Sequence, residues 1–185
     1  MQPTRPMTRL AALLLACSGL VCSPPSGVIQ PFEPSPDGEL ILGVNVTGEM
    51  EAQSFTALDE GDPLQVELGF QGSWMVVLAF RTRNHPLPLF LDVEAQLFVD
   101  GLERASAYYT SKTLESEFDG YDYFYNVFVV TSDFAEYVHS EATVALTLYD
   151  LSGAPLLETS RSILVSPPPG FVEEESPAAD DEQDG

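Results

Sequence analysis

Basic residues are scarce in this 185-residue chain: seven Lys and Arg stand against 29 Asp and Glu, a formal net charge of −22. Binding to a phosphate backbone needs clustered cations, and beyond residue 16 there are only Arg81, Arg83, Arg104, Lys112 and Arg161, so nucleic-acid recognition is excluded. Histidine is scarcer still, at His85 and His139 alone. No His-Glu-x-x-His pair, Gly-x-Ser-x-Gly elbow or phosphate-cradling glycine loop is present. A catalytic role would need a site assembled only in three dimensions. The two cysteines, Cys17 and Cys22, precede the folded region, which rules out a disulfide framework and the Cys/Trp/Cys signature of antibody domains. No apolar run approaches the roughly 20 residues of a spanning helix.

The start of the chain does carry a shorter run. Arg5 and Arg9 precede an apolar stretch from Leu10 to Ala16, a positive segment followed by an export-signal core. Leu14-Leu15-Ala16-Cys17 resembles the lipobox of bacterial lipoproteins, in which the cysteine is acylated and becomes the new N-terminus. The resemblance implies removal of residues 1–16 and lipid attachment at Cys17. Leu15 is bulkier than the small residue often found at its position, and Val21 makes Cys22 a poorer candidate. The alternative is an ordinary cleaved signal and a secreted protein. One acyl chain holds a protein only marginally, whereas the two or three implied here would anchor it firmly without any span.

Cleavage before Cys17 removes two arginines and no acid, leaving 5 − 29 = −24, a charge that anionic lipid repels. Residues 17–38 answer that problem. Their 23–38 portion, SPPSGVIQPFEPSPDG, has five prolines and reads as a flexible, extended stalk. At about 3.1 Å per residue it reaches roughly 50 Å, several times the screening length of about 8 Å. At the other end, residues 167–185 combine three consecutive prolines with seven acids, and too little apolar surface to offset ordering entropy. A disordered acidic tail is expected there.

Residues 39–166 are one domain's worth of chain, and their period is two. Leu91, Val93, Ala95, Leu97 and Val99 alternate with Asp92, Glu94, Gln96 and Asp100, and Ala142, Val144, Leu146 and Leu148 with Thr143 and Thr147. WMVVLAF at 74–80 and YFYNVFVV at 123–130 are apolar on both sides, as interior strands are. Turn signals separate the strands: DEGDP, GFQGS, RNHPLP, VDGLE, EFDGYD and DLSGAP. The pattern predicts an all-β domain, a single immunoglobulin-like antiparallel β-sandwich of about seven or eight strands. One helical turn is expected at Asp133–His139, with Asp133 capping and Phe134, Tyr137 and Val138 on one face.

The stretches FTALDEGDPLQVELGFQGSWMVVLAFRTR (55–83) and VALTLYDLSGAPLLETSRSILV (144–165) resemble uncharacterised lipoproteins of myxobacterial type. Those sandwich domains often carry a second glycine where Ser73 stands and a histidine where Met75 stands. The resemblance implies address and fold and supplies no activity.

Tyr121, Tyr123 and Tyr125 share one face of a strand, with Tyr108 and Tyr109 in a neighbouring one. An exposed row would stack on sugar rings or hold a protein partner; cross-strand packing explains the same spacing more simply. Calcium takes six to eight oxygens, and the candidates are Asp59 and Asp62 in DEGD, beside Glu60, and Asp119 and Asp122 in FDGYD. Neither matches the spaced loop with its closing glutamate, and Asp-Gly pairs build turns without an ion. Asn45-Val46-Thr47 matches a glycosylation acceptor, by chance in a bacterial lipoprotein. The expectation is a non-enzymatic envelope protein without cofactor. Its lipid anchors it to the bacterial membrane, outer ahead of inner, and it binds a protein or carbohydrate or serves structurally. A hydrolase and a calcium-dependent adhesion module are the alternatives.

Overall fold

The computed structural model describes residues 37–45, 52–69, 71–117 and 119–171. The expected signal segment, Cys17, Cys22, the stalk up to residue 36 and the tail beyond 171 lie outside the described residues. Among the described residues there are ten strands, two single 3-10 turns (Ala52–Ser54 and Phe134–Glu136) and no α-helix.

Two limbs of strands share one core. In the first, β1 (Glu39–Val44) pairs antiparallel with β2 (Thr56–Ala57) and with the C-terminal half of β4 (Trp74–Arg83). The opposite edge of β4 pairs with β8 (Asp122–Thr131), which carries the two-residue β7 (Glu115–Ser116). In the second limb β6 (Leu102–Lys112), β5 (Leu91–Val99), β9 (Glu141–Tyr149) and β10 (Pro155–Ser166) lie side by side, all antiparallel. β3 (Asp62–Leu68) belongs to both. Its first half runs parallel to Ile163–Ser166 of β10, and its second half antiparallel to Trp74–Val76 of β4. The ten strands thereby form one curled, mixed sheet.

Two details depart from the expected seven or eight antiparallel strands. β2 and β7 are two residues each, too short to show a period. The β3–β10 pair is parallel because β3 is divided between limbs, which no local pattern encodes. Elsewhere alternation translates directly into burial: β5 and β9 bury every second residue. Their Leu91, Val93, Leu97, Val144, Leu146 and Leu148 meet Leu78, Phe80 and Val129 of the first limb in one cluster. Asp100 and Gly101, with φ of 53° and 74°, close the β5–β6 hairpin as the two-residue turn that Asp-Gly favours.

The run YFYNVFVV changes parity midway. Asn126 has φ of 58° and sits where the β4–β8 register shifts, so one extra residue is absorbed there. Phe124 and Val127 therefore both face the core, while Tyr123 and Tyr125 face outward. Each parity is buried, by different neighbours.

The expected helical turn is a 3-10 turn whose Asp133 makes no side-chain cap. The carboxylate of Asp133 instead accepts the Ser132 hydroxyl at 2.9 Å. What holds the turn is apolar: Phe134 packs on Trp74 with ring centroids 4.6 Å apart, and Tyr137 hydrogen-bonds Thr131. Order continues past residue 166. Pro168 is buried and Phe171 lies 5.3 Å from the Phe134 ring, so the first residues of the expected tail bury apolar surface that its acidic remainder lacks.

Candidate functional site

Two outward faces gather the aromatic and charged side chains. On the first, β4 contributes Ala79, Arg81 and Arg83, and β8 contributes Tyr123 and Tyr125, because alternate residues of paired strands share a face. Tyr123 and Tyr125 stack at 5.4 Å and 15°. Phe55 stands edge-on over Tyr123 at 5.7 Å. Its approach depends on Gly43, where a Cβ would meet the Thr56 carbonyl oxygen at 2.4 Å and the Phe55 ring at 2.5 Å. The Arg81 guanidinium lies 4.9 Å from the Phe55 ring centroid and 4.3 Å from that of Tyr121, with Arg83 4.7 Å from the same Tyr121 ring.

Carboxylates close this cluster. Arg83 donates to Glu39 Oε1 at 2.6 Å, and the Tyr121 hydroxyl donates to Glu39 Oε2 at 2.7 Å. These bonds, the one from Arg83 first, hold the Glu39 carboxyl below the usual carboxylate range. Asp119 accepts from the Tyr123 hydroxyl at 2.5 Å and from the Tyr121 backbone N–H at 3.0 Å, and is likewise lowered. Burial pushes the Tyr125 phenol well up, with Glu117 adding to the effect.

The second outward face belongs to β5, β6 and β9. Glu94 lies opposite Tyr108 of β6 on one side and Thr147 of β9 on the other; Asp92 lies opposite Tyr149. The Tyr108 hydroxyl donates to Asp92 Oδ2 at 2.9 Å, and Tyr149 donates to Glu94 Oε2 at 2.6 Å. Both phenols are raised, in each case first by the carboxylate that holds the proton in place, so they stay neutral donors. The two rings are 6.3 Å apart and inclined at 48°, an open V rather than a stack. Tyr108 keeps 54% of its surface exposed. The sequence reading placed Tyr108 beside the tyrosine row but gave Tyr149 no role. Its one available signal was the alternation that puts Asp92, Glu94 and Tyr149 on outward parities.

Tyr121, Tyr123 and Tyr125 are brought together, but Tyr123 and Tyr125 are buried and only Tyr121 stays partly open, so no exposed row exists there. The acidic turns make hydrogen bonds within the chain. Asp62 accepts the Asp59 N–H at 2.9 Å, and Glu60 accepts the Ser162 N–H at 2.9 Å, pinning this turn to β10. Asp119 faces Tyr123, whereas Asp122 accepts the Ser116 hydroxyl. Among the described residues no three His, Cys, Asp or Glu side chains group as a metal site. His85 follows the end of β4, where burial lowers its pKa, and His139 lies in the turn packed on Trp74 at the other end. The two histidines thus stand at opposite ends of β4. Cys17 is outside the described residues.

Two shallow grooves flank the start of β4. One, of about 500 Å³, is lined by Gln65, Glu67, Leu68, Trp74, Pro168 and Pro169. The other, of about 230 Å³, is lined by Gly69, Gln71, Ser73, Met75, Phe128 and Val130. Neither contains a nucleophile paired with a base. Compared with known protein families and with curated proteins, the chain matches none.

Proposed function

We propose that the chain is a bacterial lipoprotein, tethered to the envelope membrane through an acylated Cys17, whose body is an immunoglobulin-like β-sandwich with a binding role. The fold half of this reading is supported by strand order. Numbering from β3 as the first strand, β3-β4-β8-β7 follows the A-B-E-D order of that fold and β5-β9-β10 the C-F-G order, with β6 as an added edge. β3 divides itself between an antiparallel and a parallel partner, as a strand spanning two facing sheets must.

The binding half is carried by one observation, the open Tyr108–Tyr149 face. A tyrosine left half in water on a regular sheet contributes little to the core and offers a flat apolar body with a polar tip to a partner. The Pro-rich stalk would hold that face clear of the headgroups.

Intact-mass analysis of the protein extracted from membranes tests the anchor. A diacyl or triacyl mass on a chain beginning at Cys17 is expected, and loss of both mass and membrane association in Cys17→Ser; an unacylated secreted chain would remove the anchor from the reading. Peptide and glycan arrays probed with the full chain in a non-ionic polyoxyethylene detergent test binding. Signals that Tyr108→Ala/Tyr149→Ala abolishes are expected, and arrays blank for both classes would refute the binding role.

A further inference from the structure

Resting on that binding reading, we infer that the Tyr108–Tyr149 face takes an extended cationic polypeptide segment, seating one guanidinium on each of its two tyrosine–carboxylate pairs. The molecule contains its own template for this recognition. On the covered face the Tyr121 hydroxyl is bonded to Glu39, and that pair holds Arg83: the guanidinium donates to Glu39 at 2.6 Å and lies 4.7 Å from the Tyr121 ring centroid. On the open face a tyrosine–carboxylate pair occurs twice: Tyr108 with Asp92, whose Oδ1 also accepts the Ser111 N–H at 2.8 Å and keeps a second lone pair toward solvent, and Tyr149 with Glu94.

The chain's own cations are placed elsewhere among the described residues. Arg81 and Arg83 are taken by the covered face. Arg161 donates to the Leu58 and Ser160 carbonyls, and Lys112 lies over Tyr109. Arg104 acts on Tyr137. The open face is instead bordered by further acid, since Glu158 bears on Tyr149 and Glu103 accepts from Gln96.

Guanidinium suits this geometry better than ammonium. It is planar, stacks on a ring face and still donates in its plane to a carboxylate. The fixed phenol bonds preorient both carboxylates, so less side-chain freedom is lost on binding. Asp92 and Glu94 are two residues apart on β5, a separation of roughly 7 Å, which is also the i to i+2 repeat of an extended peptide. An Arg-x-Arg strand laid along β5 therefore matches both units at once. The surplus negative charge of the body would speed its arrival and make association salt-sensitive.

The test measures affinity of the full chain, in the same detergent, for a fluorescent Gly-Arg-Thr-Arg-Gly peptide, its lysine analogue and its uncharged citrulline analogue. Expected is arginine tighter than lysine, with citrulline weaker than arginine by about tenfold or more, the equivalent of one good interaction. Because tyrosine is uncharged, Tyr108→Ala/Tyr149→Ala leaves net charge unaltered, and its expected loss of about tenfold reports the rings. Tyr108→Phe/Tyr149→Phe, which keeps the rings, should stay within about threefold. Glu136→Gln/Glu141→Gln removes two charges from the 3-10 turn and from the opposite end of β9 to Tyr149, and should change affinity no more than added salt does. Equal binding of the citrulline peptide, or undiminished binding by a folded Ala pair, would overturn the inference. Glycan binding lost in the Ala pair, with no peptide binding, would overturn it too while leaving the binding role intact.

Discussion

Tyr123 and Tyr108 each stand on an outward strand position with the hydroxyl on an aspartate, yet Tyr123 is 0% exposed and Tyr108 is 54% exposed. Strand chemistry does not separate them; cover does. Over Tyr123 lie Phe55, Tyr121 and the stacked Tyr125, brought close by the β1–β2 pairing and the small residue at 43. Beside Tyr108, among the described residues, stands the tilted ring of Tyr149, which leaves it 54% exposed. A tyrosine beside a carboxylate thus becomes a second core in one place and an open platform in the other.

Breaking the covered side should cost most. Tyr123→Ala leaves a cavity under Phe55 and strips Asp119 of its phenol donor, so a loss of about 3–5 kcal/mol is expected, read as a lower denaturant midpoint. Tyr108→Ala should cost under about 0.5 kcal/mol, as exposed substitutions do. Similar losses at the two sites would erase the distinction.

Next in size is the seam between limbs. The Tyr109 hydroxyl accepts the Phe128 N–H at 2.9 Å and donates to the Phe128 carbonyl at 3.2 Å, filling a backbone slot on the edge of β8. Tyr109→Phe removes both bonds at a solvent-accessible edge, and a loss of about 0.5–1.5 kcal/mol in thermal or denaturant unfolding is expected.

The pH dependence sharpens the comparison further. Tyr123, Tyr125 and Tyr137 have raised pKa values, each first through burial, so their contribution is present in full below pH 10 and lost as pH rises through the folded values. Absorbance at 295 nm should show their ionisation delayed and coincident with unfolding. Glu39 is depressed, so its contribution is present above the ordinary carboxylate range and lost as pH falls through the folded value. The smallest effect is therefore the difference in melting temperature between the native chain and Glu39→Gln: constant at neutral pH, closing below about pH 4. A difference that persisted in acid would place the role of Glu39 in packing rather than charge.

Much of this was legible residue by residue. The alternations of β5 and β9 and the Asp-Gly hairpin at 100–101 all appear where the pattern puts them, because burial of one sheet face imposes a period of two on the side chains. Trp74–Phe80 reads as interior and is so, with Val76 through Phe80 all buried. The sites were less legible. The regular spacing of Tyr121, Tyr123 and Tyr125 fits packing or an exposed row, with packing the simpler, and packing is what the stacked Tyr123 and Tyr125 show; spacing says nothing about Phe55, some 70 positions earlier, which covers them. Asp59, Asp62, Asp119 and Asp122 are compatible in sequence with a calcium site or with plain turns, and Asp62, Asp119 and Asp122 spend their carboxylates on nearby donors.

By itself the sequence determined the all-β character of residues 39–166, the strong excess of negative charge and the parity of most strands. These follow from composition and from a two-residue period that any sheet must obey. Only the tertiary structure decided that β3 would serve two limbs, that Asn126 would reverse the parity of β8, and which tyrosines would be covered. Those outcomes depend on contacts between residues far apart in the chain, whose free energy is set by what packs against them rather than by their neighbours in sequence.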